Sequence, residues 1–202
     1  MERTAEPLFE SAHSALAFAF NFSGQNYARP MMNRMATPSS PAGKGLSGLA
    51  GAAQAGMIRA EVQSLGRITE AILIARIAQR SIPCLCRQSC CSGKKQNLEW
   101  IDAVGYLADH IRSTALAGCT SNGLLRREYV IRYFTRKDNR VALEQLADHY
   151  GIDRHTVAAH CAKVAALFSG SPARQNKAAE LGLESVAMSA AEDQLRAIGM
   201  IG

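Results

Sequence analysis

The chain has 202 residues, 48% of them hydrophobic and only 6% aromatic, and its 23 lysines and arginines outnumber its 17 acidic residues, giving a formal charge of +6 at pH 7. A chain of this size can bury one substantial core or two small ones, and its long alanine-rich stretches favour helices. The most apolar run, residues 15–20, is far shorter than the roughly 20 residues that cross a bilayer, and the first residues lack the pattern of a signal peptide, so we expect a cytoplasmic protein with no membrane contact.

The first part of the chain predicts helices separated by a linker. Apolar residues within 6–23 are spaced loosely as in a helix. Residues 36–48 are rich in proline, serine and glycine, which is typical of a linker. Two helices are predicted after it, over 49–64 and 67–79, and Pro83 ends this region.

Four of the six cysteines follow within eight residues: Cys84, Cys86, Cys90 and Cys91. Cytoplasmic cysteines are thiols or metal ligands rather than disulfides, and four thiolates complete a tetrahedron around zinc. The cluster is therefore a candidate zinc site, in which Cys119 or His110 could replace one ligand after folding. Neighbouring Arg87, Lys94 and Lys95 are expected to lower the thiol pKa values. A thiol-rich turn without metal is the alternative, because the spacing is not that of paired Cys-x-x-Cys ligands.

Two further helices are predicted before the last third of the chain. Asn97 is a good N-cap for the first, whose apolar residues form one stripe. The stripe residues are Leu98, Ile101, Val104, Leu107, Ala108 and Ile111. The second helix is expected over 124–135, and its apolar residues are Leu124, Leu125, Val130, Ile131 and Phe134. The sequence shows no strand-like alternation of any length, so the fold class expected is all-α: small helical domains with a C-terminal helix-turn-helix.

Residues 143–167 have the pattern of that helix-turn-helix. The residues that share one face of a first short helix are Leu143, Leu146, Ala147 and Tyr150. Gly151 is expected to end this helix, because a left-handed backbone costs glycine little, Ile152 to fill the corner, and Asp153 to cap the second helix. The residues expected to turn inward on the second helix are Val157, Val164 and Leu167.

The second helix, running from just after Asp153 to about Phe168, would then present a polar and alanine-rich side to DNA. The candidate contacts are Arg154, His155, Thr156, Ala158, Ala159 and Lys163. In a major groove, Arg154 can pair with guanine O6 and N7, and the alanines, including outward-facing Ala162, can touch thymine methyls. His160 is expected to cap or pack rather than contact DNA, and His149 to be solvated.

A basic stretch precedes the helix-turn-helix. Residues 124–140 hold six cations against two acidic residues, whereas residues 141–168 hold two cations against three. The six cations are Arg126, Arg127, Arg132, Arg136, Lys137 and Arg140. Cations beside a DNA reader can neutralise phosphates and supply sequence-independent affinity. An ordinary solvated basic face is the alternative.

The pairs Leu146-Ala147 and Gly151-Ile152, followed by Thr156-Val157-x-x-His160, give a segment that resembles the helix-turn-helix of the LuxR type and of the promoter-reading domain of sigma factors. Its second helix has fewer lysines and arginines than many relatives carry. With its thiol-rich middle, basic helix and Gly- and Ala-rich residues 45–57, the whole chain resembles the Q-type late-gene antitermination proteins of temperate phages. That resemblance implies a phage or prophage regulator that binds a DNA site near a late promoter and loads onto paused RNA polymerase.

Four segments are expected: an N-terminal segment with linker over 1–48, a helical region with the cysteine cluster over 49–96, a DNA-binding domain over 97–168, and a tail of one or two helices over 169–202. The tail either packs back on the chain or mediates a homodimer. Neither a phosphate loop nor a nucleophile elbow nor His-Glu-x-x-His occurs, so no enzyme is expected. The function expected is that of a sequence-specific DNA-binding transcription regulator. The alternatives to antitermination are an operator-binding repressor or activator and a helical adaptor that does not bind DNA.

Overall fold

The computed structural model describes residues 7–26, 48–84, 86, 89, 91–173 and 179–202, and within them the chain is mostly helical, as the sequence predicts. The α-helices of these ranges are α1 (Ala12–Asn26), α2 (Gly48–Ser64), α3 (Arg67–Ile77), α4 (Leu98–Ser113), α5 (Gly123–Phe134), α6 (Leu143–Tyr150), α7 (Arg154–Ser169) and α8 (Leu183–Ala197). Each of them is too short or too polar to cross a bilayer.

Two short antiparallel strand pairs accompany the helices in the described ranges, and the sequence prediction missed both. They are β1 (Ser81–Pro83) with β2 (Lys94–Gln96), and β3 (Gly170–Ser171) with β4 (Glu180–Leu181). Strands of two or three residues are too short to show a period-two pattern, so only the pairing itself identifies them.

The chain divides into two compact units. The first comprises Met1–Ile101 and Met188–Gly202, and the second comprises Asp102–Ala187. This division differs from the four successive segments expected, because both α4 and α8 begin in one unit and end in the other. Of the predicted linker over 36–48, all but Gly48 lies outside the described residues.

In the first unit, α1 packs against α2 and α3. Arg59 of α2 links that helix to α1, where its Nε donates to the Ala19 carbonyl at 3.0 Å, and to the first turn of α4, where its guanidinium pairs with Glu99. The C-terminal residues take part in this unit, where the Phe9 backbone N–H donates to the Met200 carbonyl at 3.0 Å. The buried apolar side chains that form the core include Leu16, Phe18, Ile58, Val62, Ile72, Leu73 and Ile74.

The strand pair β1–β2 closes a loop that starts at Cys84 and ends at Gly93. The Cys84 backbone N–H donates to the Gly93 carbonyl at 2.9 Å. Beyond the hairpin, Asn97 is the N-cap of α4, as predicted, and its Oδ1 accepts from the Glu99 N–H at 3.1 Å. Its Nδ2 also donates to the Gln79 carbonyl at 2.8 Å, so one buried side chain fixes both ends of the hairpin.

Of the eleven residues predicted to be buried on α4 and α5, seven are buried and two, Ile101 and Ile131, are half-buried. The two exposed residues lie in the first turns. Leu98, in the part of α4 that belongs to the first unit, is 78% exposed, and Leu124 of α5 is 63% exposed. The predicted stripe on α4 advances mainly in three-residue steps, which drift around a helix of 3.6 residues per turn, so Leu98 has turned away from the core. On α5, Leu125 occupies the inward position, and its neighbour Leu124 must point elsewhere.

The chain leaves α7 through a close backbone crossing. A Cβ added at Gly182 would overlap the backbone nitrogen of Gly170, so the strand pair β3–β4 requires glycine here. The tail then forms the helix α8. Its first turn is held in the second unit by the Tyr133 hydroxyl, which donates to Glu184 Oε2 at 2.6 Å.

Candidate functional site

The pair α6–α7 is joined by a tight glycine turn. Gly151 has φ 61° and ψ 37°, the left-handed conformation that the sequence predicts at this residue. The Ile152 N–H donates to the Ala147 carbonyl at 3.0 Å, which satisfies a carbonyl at the end of α6. Asp153 caps α7 as expected, with its Oδ2 accepting from the Thr156 N–H at 3.0 Å. Three local features therefore fix where α7 starts and how it leaves α6.

One side of this helix pair is buried. Leu146 and Ala147 of α6 are buried, and the buried residues of α7 are Val157, His160, Val164 and Phe168. Leu167, which the sequence predicts to turn inward, is only half-buried, and Phe168 takes the core position instead. The aromatic ring of Phe168 packs 5.0 Å from that of Tyr133, measured between centroids, and an aromatic contact of this kind anchors α7 on α5.

His160 lies inside the second unit, in agreement with its predicted packing role. Its Nδ1 is 3.2 Å from the buried Tyr129 hydroxyl, and the two rings pack edge to face. Burial lowers the pKa of His160, and the positive charge of Lys163 lowers it further. The imidazole is therefore neutral near pH 7, and one of its nitrogens serves as a hydrogen-bonding partner for the tyrosine.

The opposite side of α7 is open. Its exposed residues are Arg154, His155, Thr156, Ala159, Ala162, Lys163 and Ala166, and Ala158 is half-buried. Arg154 is held by Glu144 of α6, whose Oε1 lies 2.8 Å from the arginine Nε. Lys163 Nζ lies 3.3 Å from the sulfur of Cys119, a contact that the sequence does not predict. Apart from the cations at 154 and 163, the central part of this face carries small side chains.

The basic stretch is less uniform in the structure than in the sequence. Four of its cations are exposed: Arg127, Arg136, Lys137 and Arg140. Arg132 is half-buried, and its guanidinium donates a hydrogen bond to the Val141 carbonyl. Burial raises the pKa of the Cys161 thiol of α7, and the charges of Arg132, which also hydrogen-bonds to this thiol, and of Arg140 offset part of that increase. Arg132 is therefore adjacent to α7, although it precedes that helix by more than a dozen residues.

Arg126 does not fit the expectation that the cations of this stretch contact phosphates. It is 8% exposed, and its guanidinium donates to the Ala108 carbonyl at 3.2 Å and to the Ser121 carbonyl. Arg126 lies three and four residues before buried Tyr129 and Val130, so it shares their inward face, while Arg127 remains outside. A buried guanidinium bonded to backbone carbonyls is not available to a phosphate.

Three cysteines of the predicted cluster meet in the loop closed by β1–β2. The sulfur atoms of Cys84, Cys86 and Cys91 all lie within 4.8 Å of one another, while Cys90 lies outside the described residues. In a tetrahedral zinc site with bonds of about 2.3 Å, sulfur atoms are about 3.8 Å apart, so this spacing fits a metal ion. The suggested substitutes, Cys119 and His110, belong to the second unit.

The pKa of the Cys84 thiol is raised, although the sequence predicts that it is lowered. A backbone hydrogen bond from Cys86 lowers the pKa of the Cys84 thiol, but the thiols of Cys86 and Cys91 beside it outweigh that effect, and the net pKa is raised. Neighbouring sulfurs, not the nearby lysines, therefore dominate its titration. A metal ion that binds all three must displace the proton of the Cys84 thiol, whose pKa is raised.

Comparisons with protein-family models, with curated proteins and with solved structures find no match for this chain. Its function is therefore inferred from the geometry and the sequence pattern.

Proposed function

We propose that the chain is a sequence-specific DNA-binding transcription regulator and that α6–α7 is its helix-turn-helix, with α7 lying in the major groove. The observation that carries this proposal is the division of α7 into two sides: Val157, His160 and Val164 are buried, while the face through His155, Ala159 and Ala162 is open. A recognition helix requires this arrangement, because one side must pack on the domain and the other must approach base edges.

The contents of the open face favour a groove over a flat protein partner. Its first turn carries Arg154, His155 and Thr156, all exposed and all able to donate hydrogen bonds. Farther along, alanines replace long side chains, which lets the helix backbone come close to the floor of the groove and brings methyl groups near thymine.

Phosphate contacts would come from the exposed cations that precede α6. These are Arg127, Arg136, Lys137 and Arg140, and the charge of Arg140 acts on Cys161 of α7. Four phosphate contacts predict that the logarithm of the binding constant falls with the logarithm of salt concentration with a slope of about −3.6. A much shallower slope would mean that the basic stretch faces solvent only.

In vitro selection tests the DNA-binding proposal. The full chain is offered a pool of duplexes with a randomised core, alongside Arg154→Ala and the control Arg112→Ala, which removes an exposed arginine from α4. We expect the wild type and the control to enrich one guanine-containing sequence, and Arg154→Ala to lose about 1–3 kcal/mol of discrimination at that guanine. No retention of any duplex at low salt would instead favour an adaptor that uses the helix pair for protein contact.

We propose antitermination on RNA polymerase as the specific role, on the basis of the resemblance to Q-type proteins. The competing role is an operator-binding repressor or activator. In transcription with purified polymerase and the selected site near a promoter, an antiterminator raises read-through of a downstream terminator. A repressor lowers initiation and leaves the read-through fraction unchanged, which separates the two roles.

We also propose that the cysteine loop holds one zinc ion through Cys84, Cys86 and Cys91, whose mutual distances suit tetrahedral thiolate ligands. When bound, the ion would cross-link the two ends of the loop between β1 and β2. The test is metal content of the full chain purified without a histidine tag. We expect stoichiometric zinc that Cys84→Ser removes and Cys161→Ser retains. Absence of zinc, together with unfolding that a chelator does not change, would show that the loop is a metal-free turn.

A further inference from the structure

The ion pair between Glu144 and Arg154 links the first turns of α6 and α7. The carboxylate contacts Nε of the guanidinium, and the two side chains are 62% and 56% exposed. Exposed ion pairs contribute little to folding stability, because water and salt screen them. The more informative consequence of this pair is therefore the direction in which it holds Arg154.

The carboxylate oxygen lies nearest Nε of the guanidinium. The N–H groups of the two terminal nitrogens are therefore the donors that a ligand would meet. Two parallel N–H donors match the O6 and N7 acceptors of guanine. The carboxylate also offsets the positive charge of Arg154, which weakens its attraction to phosphates of any sequence.

We propose that Glu144 is a positioning residue that aims Arg154 at a guanine and keeps it from the phosphate backbone. This inference rests on the proposed DNA-binding function and adds to it the base that is read and the residue that enforces the reading. In energetic terms, Glu144 lowers affinity for unrelated DNA more than it lowers affinity for the target site, so it increases specificity at some cost in total binding.

The test compares the duplex selected by the wild type with an unrelated duplex of the same length. Glu144→Gln is expected to bind the unrelated duplex more tightly, so that the ratio of target affinity to unrelated affinity falls about tenfold. On the unrelated duplex, the slope of the logarithm of the binding constant against the logarithm of salt concentration should become more negative by about 0.9. Substituting 7-deazaguanine for the contacted guanine removes the N7 acceptor, and its effect should be smaller for Glu144→Gln than for the wild type.

Asp148→Asn is the matched control, because it removes the same charge from an exposed position on the same helix. It should leave the affinity ratio unchanged. In the Arg154→Ala background, Glu144→Gln should have no further effect on the ratio. Glu144→Asp keeps the charge on a shorter side chain and should give an intermediate ratio, which keeps the test informative if the glutamine variant unfolds at a lower temperature.

The outcomes separate this inference from the proposed function. Failure of the wild type to retain any duplex would overturn both. Selection of a guanine site whose affinity ratio is the same for Glu144→Gln and the wild type would overturn only the role of Glu144. Equal narrowing by Asp148→Asn would also overturn it, since the effect would then come from net charge and not from the contact with Arg154.

Discussion

Helix α5 has more cations than α7, but α7 exposes more of them. Three arginines lie on α5, against one arginine and one lysine on α7. On α5, however, Arg126 is buried and Arg132 is half-buried, whereas both cations of α7 are exposed. The comparison shows that the face on which a cation lies decides whether a ligand can reach it, so the helix with more cations need not be the one that offers more of them to a ligand.

The same point holds for the two units of the chain. The second unit, which contains both helices, has eleven basic and nine acidic side chains, whereas the first has twelve basic and eight acidic. A nearly balanced unit can still bind a polyanion when a few cations share one face. The exposed cations near α7 therefore matter more to the proposed function than the formal charge of the whole chain.

The largest effect on stability is expected at Arg126. Arg126→Ala leaves the Ala108 and Ser121 carbonyls without their donor and removes a buried aliphatic stem, so unfolding should become easier by about 2–4 kcal/mol. Urea denaturation of the full chain measures this loss.

The control for Arg126 is its neighbour. Arg127 is exposed, and Arg127→Ala should change stability by less than about 0.5 kcal/mol. If both variants unfold at the same urea concentration, Arg126 is not the inward-facing cation described above, and the contrast between α5 and α7 is lost.

A smaller effect is expected at the turn before α7. Gly151→Ala places a side chain at φ 61°, where open space surrounds the Cβ and only the backbone conformation is strained, so a loss of about 1–2 kcal/mol is expected. Gly56→Ala, at an exposed helical position of α2, should instead stabilise the chain by about 0.5–1 kcal/mol. Thermal unfolding distinguishes the two, and a gain of stability in Gly151→Ala would contradict the left-handed turn.

The smallest effect is a dependence on pH that reports the buried side of α7. Burial holds the pKa of His160 below its ordinary 6.5. At pH values between the lowered pKa of the folded state and the ordinary pKa of the unfolded state, the unfolded chain binds more protons than the folded chain. The free energy of unfolding should therefore fall as pH drops below about 6.5 and be level above it. His110 shifts in the same direction and contributes to the same window.

His160→Gln should therefore reduce this slope without abolishing it. The measurement is the urea midpoint at pH 5 and pH 7 for the wild type and the variant. An unchanged slope in His160→Gln would mean that His160 titrates as a solvated residue, and that the inner side of α7 is open to water.

Much of the helix pair could be predicted from sequence, because its determinants are local. Gly151, Asp153 and the spacing of Leu146 and Val157 each act within a few residues, and the structure has them as expected. Asn97 was predictable for the same reason. The zinc-compatible arrangement of Cys84, Cys86 and Cys91 follows from proximity in sequence, but the short strands that close the loop do not.

The features that the sequence could not predict depend mainly on contacts between residues far apart in the chain. The inward position of Arg126 depends on the carbonyl of Ala108, eighteen residues earlier, and no local pattern specifies that partner. The sequence left two alternatives for the tail, because the return of residues 188–202 to the first unit depends on distant contacts such as that of Phe9 with Met200. Leu98 and Leu124 are exposed because the side chains of a first helical turn have few neighbours along the helix to define which way they face, and apolar spacing predicts that direction poorly.

The most direct test of the central claim, that the open face of α7 enters a DNA groove, is the affinity of Ala159→Glu for an arbitrary duplex at low salt. Ala159 is exposed, so the variant should unfold at the wild-type temperature, while a carboxylate placed against phosphates should weaken binding at least about 100-fold. Ala53→Glu adds the same charge to an exposed position of α2 and should weaken binding by less than about threefold. Equal affinities for the two variants would contradict the account.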